Sequence, residues 1–128
     1  MVVDASAILA IILKEEDGFA FREALSKSRR SVMSPVNYWE VLVRAQALRG
    51  VEGAVTVEAT LREFDIDVVT IDAQMARDAA QAFAKFGRRS AGGLNLGDCF
   101  AYALARSEDD GLLYKGNDFP RTDVKSVV

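Results

Sequence analysis

The sequence predicts a three-layer α/β/α fold whose central, mostly parallel sheet has four to five short strands. Short apolar segments of strand length alternate with longer segments of helical periodicity, as expected for a parallel sheet covered by helices on both faces. The chain has 128 residues, of which 50% are hydrophobic and 27% are charged. This length and composition indicate a single globular domain over residues 1–128.

The predicted strands are brief, and polar residues or turns follow them. The segment DVVTI at residues 67–71 is rich in β-branched residues and is the clearest example. The other strands are predicted at residues 1–4, 31–34 and 112–114, with a candidate edge strand at 124–127.

The predicted helices are identified from apolar spacing and from residues that favour helix ends. Ser34 suits a cap and Pro35 a first helical position, and the helix that follows ends at Gly50. Asp72 is placed to cap another helix. The last predicted helix is apolar nearly all round, which indicates a central position. The helices cover residues 5–13, 19–28, 35–49, 52–64 and 95–107, with a further one after Asp72.

The composition excludes several kinds of active site. The chain contains no histidine, which rules out Ser-His-Asp and Cys-His systems and histidine-ligated zinc. Its one cysteine, Cys99, cannot form an internal disulfide and is predicted to be a small buried side chain. No apolar run approaches the roughly 18 residues of a membrane helix, and no leader pattern precedes the first strand. We therefore expect a cytoplasmic protein with no membrane contact.

Four acidic residues stand at positions where packing alone does not require them. Asp4 ends the first predicted strand, and Asp118 lies just past the fourth, in a turn-forming segment. Parallel strands end at one edge of a sheet, and ligands bind outside that edge, so both carboxylates are predicted at one rim. Glu40 and Asp98 each interrupt an apolar helix near its start, and Asn37 lies one turn before Glu40.

Each acid also has a structural explanation. Asp4 and Asp98 suit the N-termini of helices, and Asp118 suits a turn. Glu40 can pair with Arg44, four residues on. Jointly, however, four carboxylates at one rim would repel each other, and a divalent cation that prefers oxygen ligands removes this repulsion. The set therefore indicates a Mg²⁺ or Mn²⁺ site, which suits phosphoryl chemistry because the metal activates water and stabilises the leaving oxygen.

Four parts of the chain form a recognisable set: MVVDASA at residues 1–7, Glu40, LNLGDCFAYALA at 94–105 and YKGNDF at 114–119. Their order and spacing resemble the PIN domain over essentially the whole chain. More narrowly, they resemble the VapC toxins of bacterial type II toxin–antitoxin systems. The resemblance implies a PIN-like fold and an endoribonuclease that depends on Mg²⁺ or Mn²⁺.

The resemblance also implies roles for individual residues and for partners. It assigns the catalytic and metal-binding acids as Asp4, Glu40, Asp98 and Asp118. Ser6 and Asn95 correspond to supporting or water-positioning residues, and Asn117 can share that duty. The family further implies homodimers, and neutralisation by a cognate VapB-type antitoxin whose C-terminal segment reaches into the acidic groove.

A basic pair precedes the helix that carries Asp98, and we interpret it as a contact to the RNA backbone. The pair is Arg88 and Arg89, and the alternative is a solvated surface. Many VapC toxins carry a histidine in this loop, and this chain has none. Any role of that histidine in binding or cleaving RNA is therefore absent here.

Two other functions remain as alternatives. A phosphoacceptor receiver-like signalling module would use Asp72 as the acceptor and Lys115 as its lysine. A receiver has adjacent acids after its first strand, however, and Asp4 stands alone. A haloacid-dehalogenase-type phosphatase needs an aspartate two residues after the nucleophile, where this chain has Ser6.

Overall fold

Short strands and longer helices alternate along the chain. The structure is a computed structural model that describes residues 1–88 and 93–128. These residues form β1 Val2–Val3, α1 Ala5–Ile12, α2 Gly18–Lys27, β2 Ser31–Met33, α3 Pro35–Arg49, α4 Val51–Glu63, β3 Ile66–Val68, α5 Ala73–Phe86, α6 Leu96–Glu108 and β4 Leu112–Leu113.

The strands form one parallel sheet in the order β3-β2-β1-β4. Val2 of β1 is in register with Val32 on one side and with Leu112 on the other. The predicted fold class is therefore confirmed. Most predicted bounds agree with the observed ones to within one residue.

Two predicted strands differ from the observed ones. The third was predicted at 67–71, but β3 ends at Val68. Val69 N–H still donates to the Met33 carbonyl, and after this bond the chain leaves the sheet and turns toward Asp72, the cap of α5. The candidate edge strand at 124–127 is a single bridge between Ser126 and Leu112.

Alternate strand residues enter two separate apolar cores, one on each face of the sheet. The core beneath α1, α3 and α4 receives Val3, Met33 and Leu113. The core beneath α5 and α6 receives their neighbours Val2, Val32 and Leu112. This alternation produces the three layers.

The helices begin at side chains that satisfy their first backbone N–H groups. Ser34 Oγ accepts a 3.1 Å bond from Asn37 N–H at the start of α3, and Pro35 follows it. Asp72 Oδ1 accepts a 3.1 Å bond from Met75 N–H, so its predicted role as a cap is confirmed. In the part of the chain described, no helix combines the length and apolar character needed to cross a membrane.

α3 and α4 cross in direct backbone contact. Gly50 joins them with a φ of 63°, a left-handed conformation that glycine adopts at little cost. A Cβ added at Gly53 would lie 2.1 Å from the Ala45 carbonyl oxygen, inside any real contact distance. The packing of α3, which carries Glu40, against α4 is therefore fixed at a position where a side chain does not fit.

We expect Gly53→Ala to lower the free energy of unfolding by about 1–3 kcal/mol, because the added methyl group overpacks the α3–α4 contact. In an open helix the same change would raise stability by roughly 0.5–1 kcal/mol. Urea denaturation of the two proteins measures the difference. A more stable variant would contradict the close crossing.

Candidate active site

The candidate site lies at the carboxyl edge of the sheet, where several elements begin or end. Asp4 directly follows β1, and its N–H donates a 2.9 Å bond to the Leu113 carbonyl of β4. α3 starts just after β2, so its first turns rise from the same edge. The N-terminus of α6 approaches them at Gly97.

Asp4 is buried and caps α1. Its Oδ2 accepts bonds from Ser6 N–H at 3.1 Å and from Ser6 Oγ at 2.5 Å. Its Oδ1 accepts a bond from the Asn37 amide at 3.3 Å. Burial raises the pKa of Asp4, and the bonds from Ser6 oppose this rise. Ser6 thus contacts an acid directly, at a position where a supporting residue was predicted.

Asn37 is fully buried and connects three elements. Its amide nitrogen donates to Asp4 and, at 3.0 Å, to the Gly97 carbonyl of α6. Its amide oxygen accepts a 2.7 Å bond from Ser34 Oγ. Asn37 was not among the predicted supporting residues. The sequence contained one indication of this role: Asn37 is a polar amide within an apolar stretch, on the same side of the helix as Glu40.

Glu40 projects from α3 toward the start of α6. A Cβ at Gly97 would lie 2.9 Å from Glu40 Oε1, so glycine leaves the space that this carboxylate occupies. Arg44 Nη2 lies 3.3 Å from Glu40 Oε2, so the predicted alternative partner is present. Burial and the charge of Asp4 raise the pKa of Glu40, and Arg44 opposes them.

Asp98 is buried in the first turn of α6, where it forms a capping box with Asn95. Asn95 N–H donates to Asp98 Oδ2 at 3.0 Å, and Asp98 N–H donates to Asn95 Oδ1 at 2.8 Å. Burial is the main cause that raises the pKa of Asp98 to about 7. The charges of Asp4, Asp118 and Glu40 raise it further, so the four acids lie within electrostatic range.

The segment after β4 lines the outer rim of the site. Asp118 and Asn117 are exposed there. Lys115 N–H donates a 2.9 Å bond to Ser6 Oγ, which connects this segment to Asp4. The Lys115 side chain pairs with Glu15 and lies 3.2 Å from Asp17. Of the four predicted acids, Asp4 and Asp98 are thus buried, Glu40 is half-buried next to them, and Asp118 lies at the surface.

The ligand chemistry of the site fits a hard divalent cation. Carboxylate and amide oxygens are its preferred ligands. Burial raises the pKa of three neighbouring acids, an effect that a bound cation would oppose. Among residues 1–88 and 93–128, no three Asp, Glu, His or Cys side chains are arranged to hold a metal. Mg²⁺ needs no such cage, because it commonly binds through one or two carboxylates and keeps several waters.

The predicted RNA contact is described only in part. Arg88 is exposed in the turn after α5. Arg89 lies outside the described residues.

The raised pKa of Asp98 predicts how stability depends on pH without metal. The unfolded chain releases this proton near pH 4, whereas the folded protein holds it until about pH 7. The folded state binds more protons between these values, so the free energy of unfolding falls as pH rises from about 4 to 7. We expect this fall in urea titrations with EDTA.

The matched variant is Asp98→Asn, which retains an oxygen to accept the Asn95 N–H bond but cannot ionise. Its unfolding free energy should fall less steeply over the same range. Parallel profiles for the two proteins would refute the assignment of the effect to Asp98.

The chain is similar over nearly its whole length to bacterial ribonucleases. It is 41% identical over 127 residues to ribonuclease VapC42 of Mycobacterium tuberculosis, which covers 98% of the chain and 97% of the relative. It is 35% identical over 129 residues to ribonuclease VapC30 of the same species, covering 100% of the chain and 98% of the relative. The family model of the PIN domain matches residues 1–125.

Solved structures show the same fold at low sequence identity. VapC20 of Mycobacterium tuberculosis, a toxin that cleaves the sarcin-ricin loop, superposes with a TM-score of 0.77 at 17% identity, covering 96% of this chain and 95% of that one. VapBC2 of Rickettsia felis, bound to promoter DNA, gives 0.74 at 12% identity, covering 98% and 94%. By fold and by sequence, the chain belongs to the PIN domain family and, within it, to the VapC ribonucleases.

Proposed function

We propose that the acidic site hydrolyses phosphodiester bonds of RNA with Mg²⁺ or Mn²⁺, as the endoribonuclease toxin of a VapBC-type module. The observation that carries this proposal is the convergence of Asp4, Glu40 and Asp98 from three elements, each with a raised pKa. Ordinary packing gives no reason to bury two carboxylates at one sheet edge with a third half-buried beside them. A divalent cation would, when bound, offset this charge and polarise the scissile phosphate.

The chain's own residues hold the acids in place for this reaction. Asp4, Glu40 and Asp98 are the proposed metal ligands, with Asp118 contributing from the rim. Ser6 and Asn95 fix the carboxylates of Asp4 and Asp98 through hydrogen bonds. Asn117 is placed to share in holding water beside Asp118.

The proposed partners follow from the family. We propose neutralisation by a VapB-type antitoxin, which the likeness to the VapBC2 complex of Rickettsia felis supports. Homodimers are also proposed, with the cytoplasm as the site of action. Co-expression with the neighbouring gene, followed by light scattering of the purified complex, tests both the antitoxin and the dimer.

The receiver-like alternative has less support. Asp72 follows the edge strand β3, whereas Lys115 follows β4 at the opposite edge of the sheet. Asp72 already caps α5, and Lys115 pairs with Glu15. An acceptor and its lysine need to meet at one phosphate, which this separation prevents.

Asp4→Asn should reduce RNA cleavage about 100-fold or more, because several kcal/mol of transition-state stabilisation depends on a metal that Asp4 helps to hold. EDTA should abolish cleavage by the unchanged protein. The matched control is Asp72→Asn, which alters an exposed cap away from the site and should cleave normally. Full metal-dependent cleavage by Asp4→Asn would refute the site assignment.

Replacing Arg88 and Arg89 with alanine should weaken RNA binding and its salt dependence. The slope of log affinity against log salt should become less steep by about 0.7 for each lost phosphate contact. The control is the double variant Lys27→Ala/Arg29→Ala, because these cations precede β2 and so lie at the amino edge of the sheet. If the slope of log affinity against log salt were the same for the Arg88→Ala/Arg89→Ala variant and the unchanged protein, these arginines would not be contacts to RNA phosphates.

A further inference from the structure

Arg44 is a cation that lies directly against the acids. It follows Glu40 by four residues on α3, and its Nη2 is 3.3 Å from Glu40 Oε2. Burial raises the pKa values of Asp4 and Glu40, and the charge of Arg44 opposes both rises. We propose that Arg44 binds a phosphate of the RNA backbone at this site, in exchange for its contact with Glu40. This inference rests on the proposed function and adds a substrate-binding residue to it.

The position of Arg44 follows from helical spacing. Asn37, Glu40 and Arg44 are separated by three and four residues, so they share one face of α3. Asn37 donates to Asp4 and to the Gly97 carbonyl, and Glu40 occupies the space that Gly97 leaves. Along this face the side chains become more exposed, from fully buried Asn37 to Glu40 at 19% and Arg44 at 52%. Arg44 thus continues the face of the acids out to the solvent.

The contact between Arg44 and Glu40 is loose enough to be exchanged. Charge-assisted hydrogen bonds between a guanidinium and a carboxylate are usually about 2.7–2.9 Å long, whereas this contact is 3.3 Å. Ion pairs with an exposed partner contribute little to stability, because solvent screens them and long side chains lose freedom in forming them. The guanidinium can therefore leave Glu40 without weakening the fold.

A phosphate is a better partner for this guanidinium than a carboxylate that also binds a metal. Glu40 is one of the proposed metal ligands, so its charge is shared when a cation is bound. The N–H donors of arginine form a planar fork that matches two oxygens of one phosphate. RNA cleaved at these acids has to bring phosphate oxygens close to Glu40, and therefore within reach of Arg44.

A cation at this position also offsets the repulsion between the acids and the substrate. Asp4, Glu40 and Asp98 all repel the RNA backbone, and the net charge of −3 provides no general attraction for RNA. Arg44 supplies positive charge at the acids themselves, on the side that faces solvent. An RNA phosphate can reach it without displacing any buried group.

A positioning role for Arg44 is the competing explanation, and metal affinity separates the two. If Arg44 holds Glu40 in the geometry that binds metal, removing Arg44 will weaken metal binding. If Arg44 instead competes for Glu40, removing it will strengthen metal binding, because a positive charge leaves the site. The proposed role also requires that RNA binding weakens at the same time.

The experiment measures metal binding, RNA binding and cleavage in separate assays. Mn²⁺ binding to the RNA-free protein is followed by calorimetry for the unchanged protein, Arg44→Ala and Arg44→Lys. Affinity for a fluorescein-labelled single-stranded RNA is measured over a range of salt with Mg²⁺ in an Asp4→Asn background, where cleavage is slow and Glu40 and Asp98 remain to hold metal. Cleavage is measured without the Asp4 change.

The matched control is Arg30→Ala. Arg30 is also an arginine in an exposed pair, 58% exposed and 2.8 Å from Glu108. It directly precedes β2 and so lies at the amino edge of the sheet, away from the acids. Its removal changes the net charge of the protein by the same amount and should leave metal affinity, RNA affinity and cleavage unchanged.

We expect Arg44→Ala to bind Mn²⁺ about two- to fivefold more tightly, as the loss of one exposed charge pair allows. The same change should weaken RNA binding about three- to tenfold, and the slope of log affinity against log salt should become less steep by about 0.7. In cleavage assays it should raise KM more than it lowers kcat. Arg44→Lys should retain the slope and the Mn²⁺ affinity, with part of the RNA affinity lost because lysine lacks the fork.

Several results would overturn the inference. Weaker or unchanged Mn²⁺ binding by Arg44→Ala would show that Arg44 does not compete for Glu40. Unchanged RNA affinity and slope would exclude a phosphate contact, even if the unchanged protein cleaves RNA normally. An equal loss of RNA affinity in Arg30→Ala would assign the effect to net charge. Absence of metal-dependent cleavage by the unchanged protein is a different failure, because it would refute the proposed function itself.

Discussion

The buried amide of Asn37 is the contact on which the candidate site depends. It joins the carboxylate of Asp4, the hydroxyl of Ser34 and the backbone of Gly97, and so connects the starts of α1, α3 and α6. Each of these helices supplies or supports one acid. A buried amide left without partners would cost about 1–3 kcal/mol, so the network is stable only when all three elements are in place. The geometry of the acids is thereby a property of the whole fold.

The acids are held mainly by neutral donors. Asp4 is bonded to Ser6 and Asn37, and Asp98 to the backbone of Asn95. These bonds orient the carboxylates without cancelling their charge, so burial still raises the pKa of both, and the charges of the neighbouring acids raise that of Asp98 further. A site built this way is less stable than an apolar edge would be, and it retains a strong attraction for cations. Arg44 is the exception, because its charge partly compensates Glu40.

The fold and the candidate acids could be predicted from the sequence because both show as patterns among residues that are close in the chain. Strand length, helix caps and apolar spacing predicted the layers, and the carboxylates stood out against apolar neighbours. What escaped prediction depends on contacts between distant segments. Asn37 was noted only as a neighbour of Glu40, since nothing local shows that its amide reaches Gly97. The end of β3 was also misplaced, because residues after Val68 remain strand-like while the chain turns toward its next cap.

The brevity of β1 has a consequence for how such proteins change over time. Its two valines enter opposite cores, and the next residue is Asp4. A shift of one residue would exchange the valines between the two faces and carry the carboxylate away from the edge. Substitution by similar β-branched residues is tolerable here, whereas any gain or loss of length is not. Differences in length between related chains should therefore accumulate in surface connections, and the spacing from β1 to α1 should stay constant.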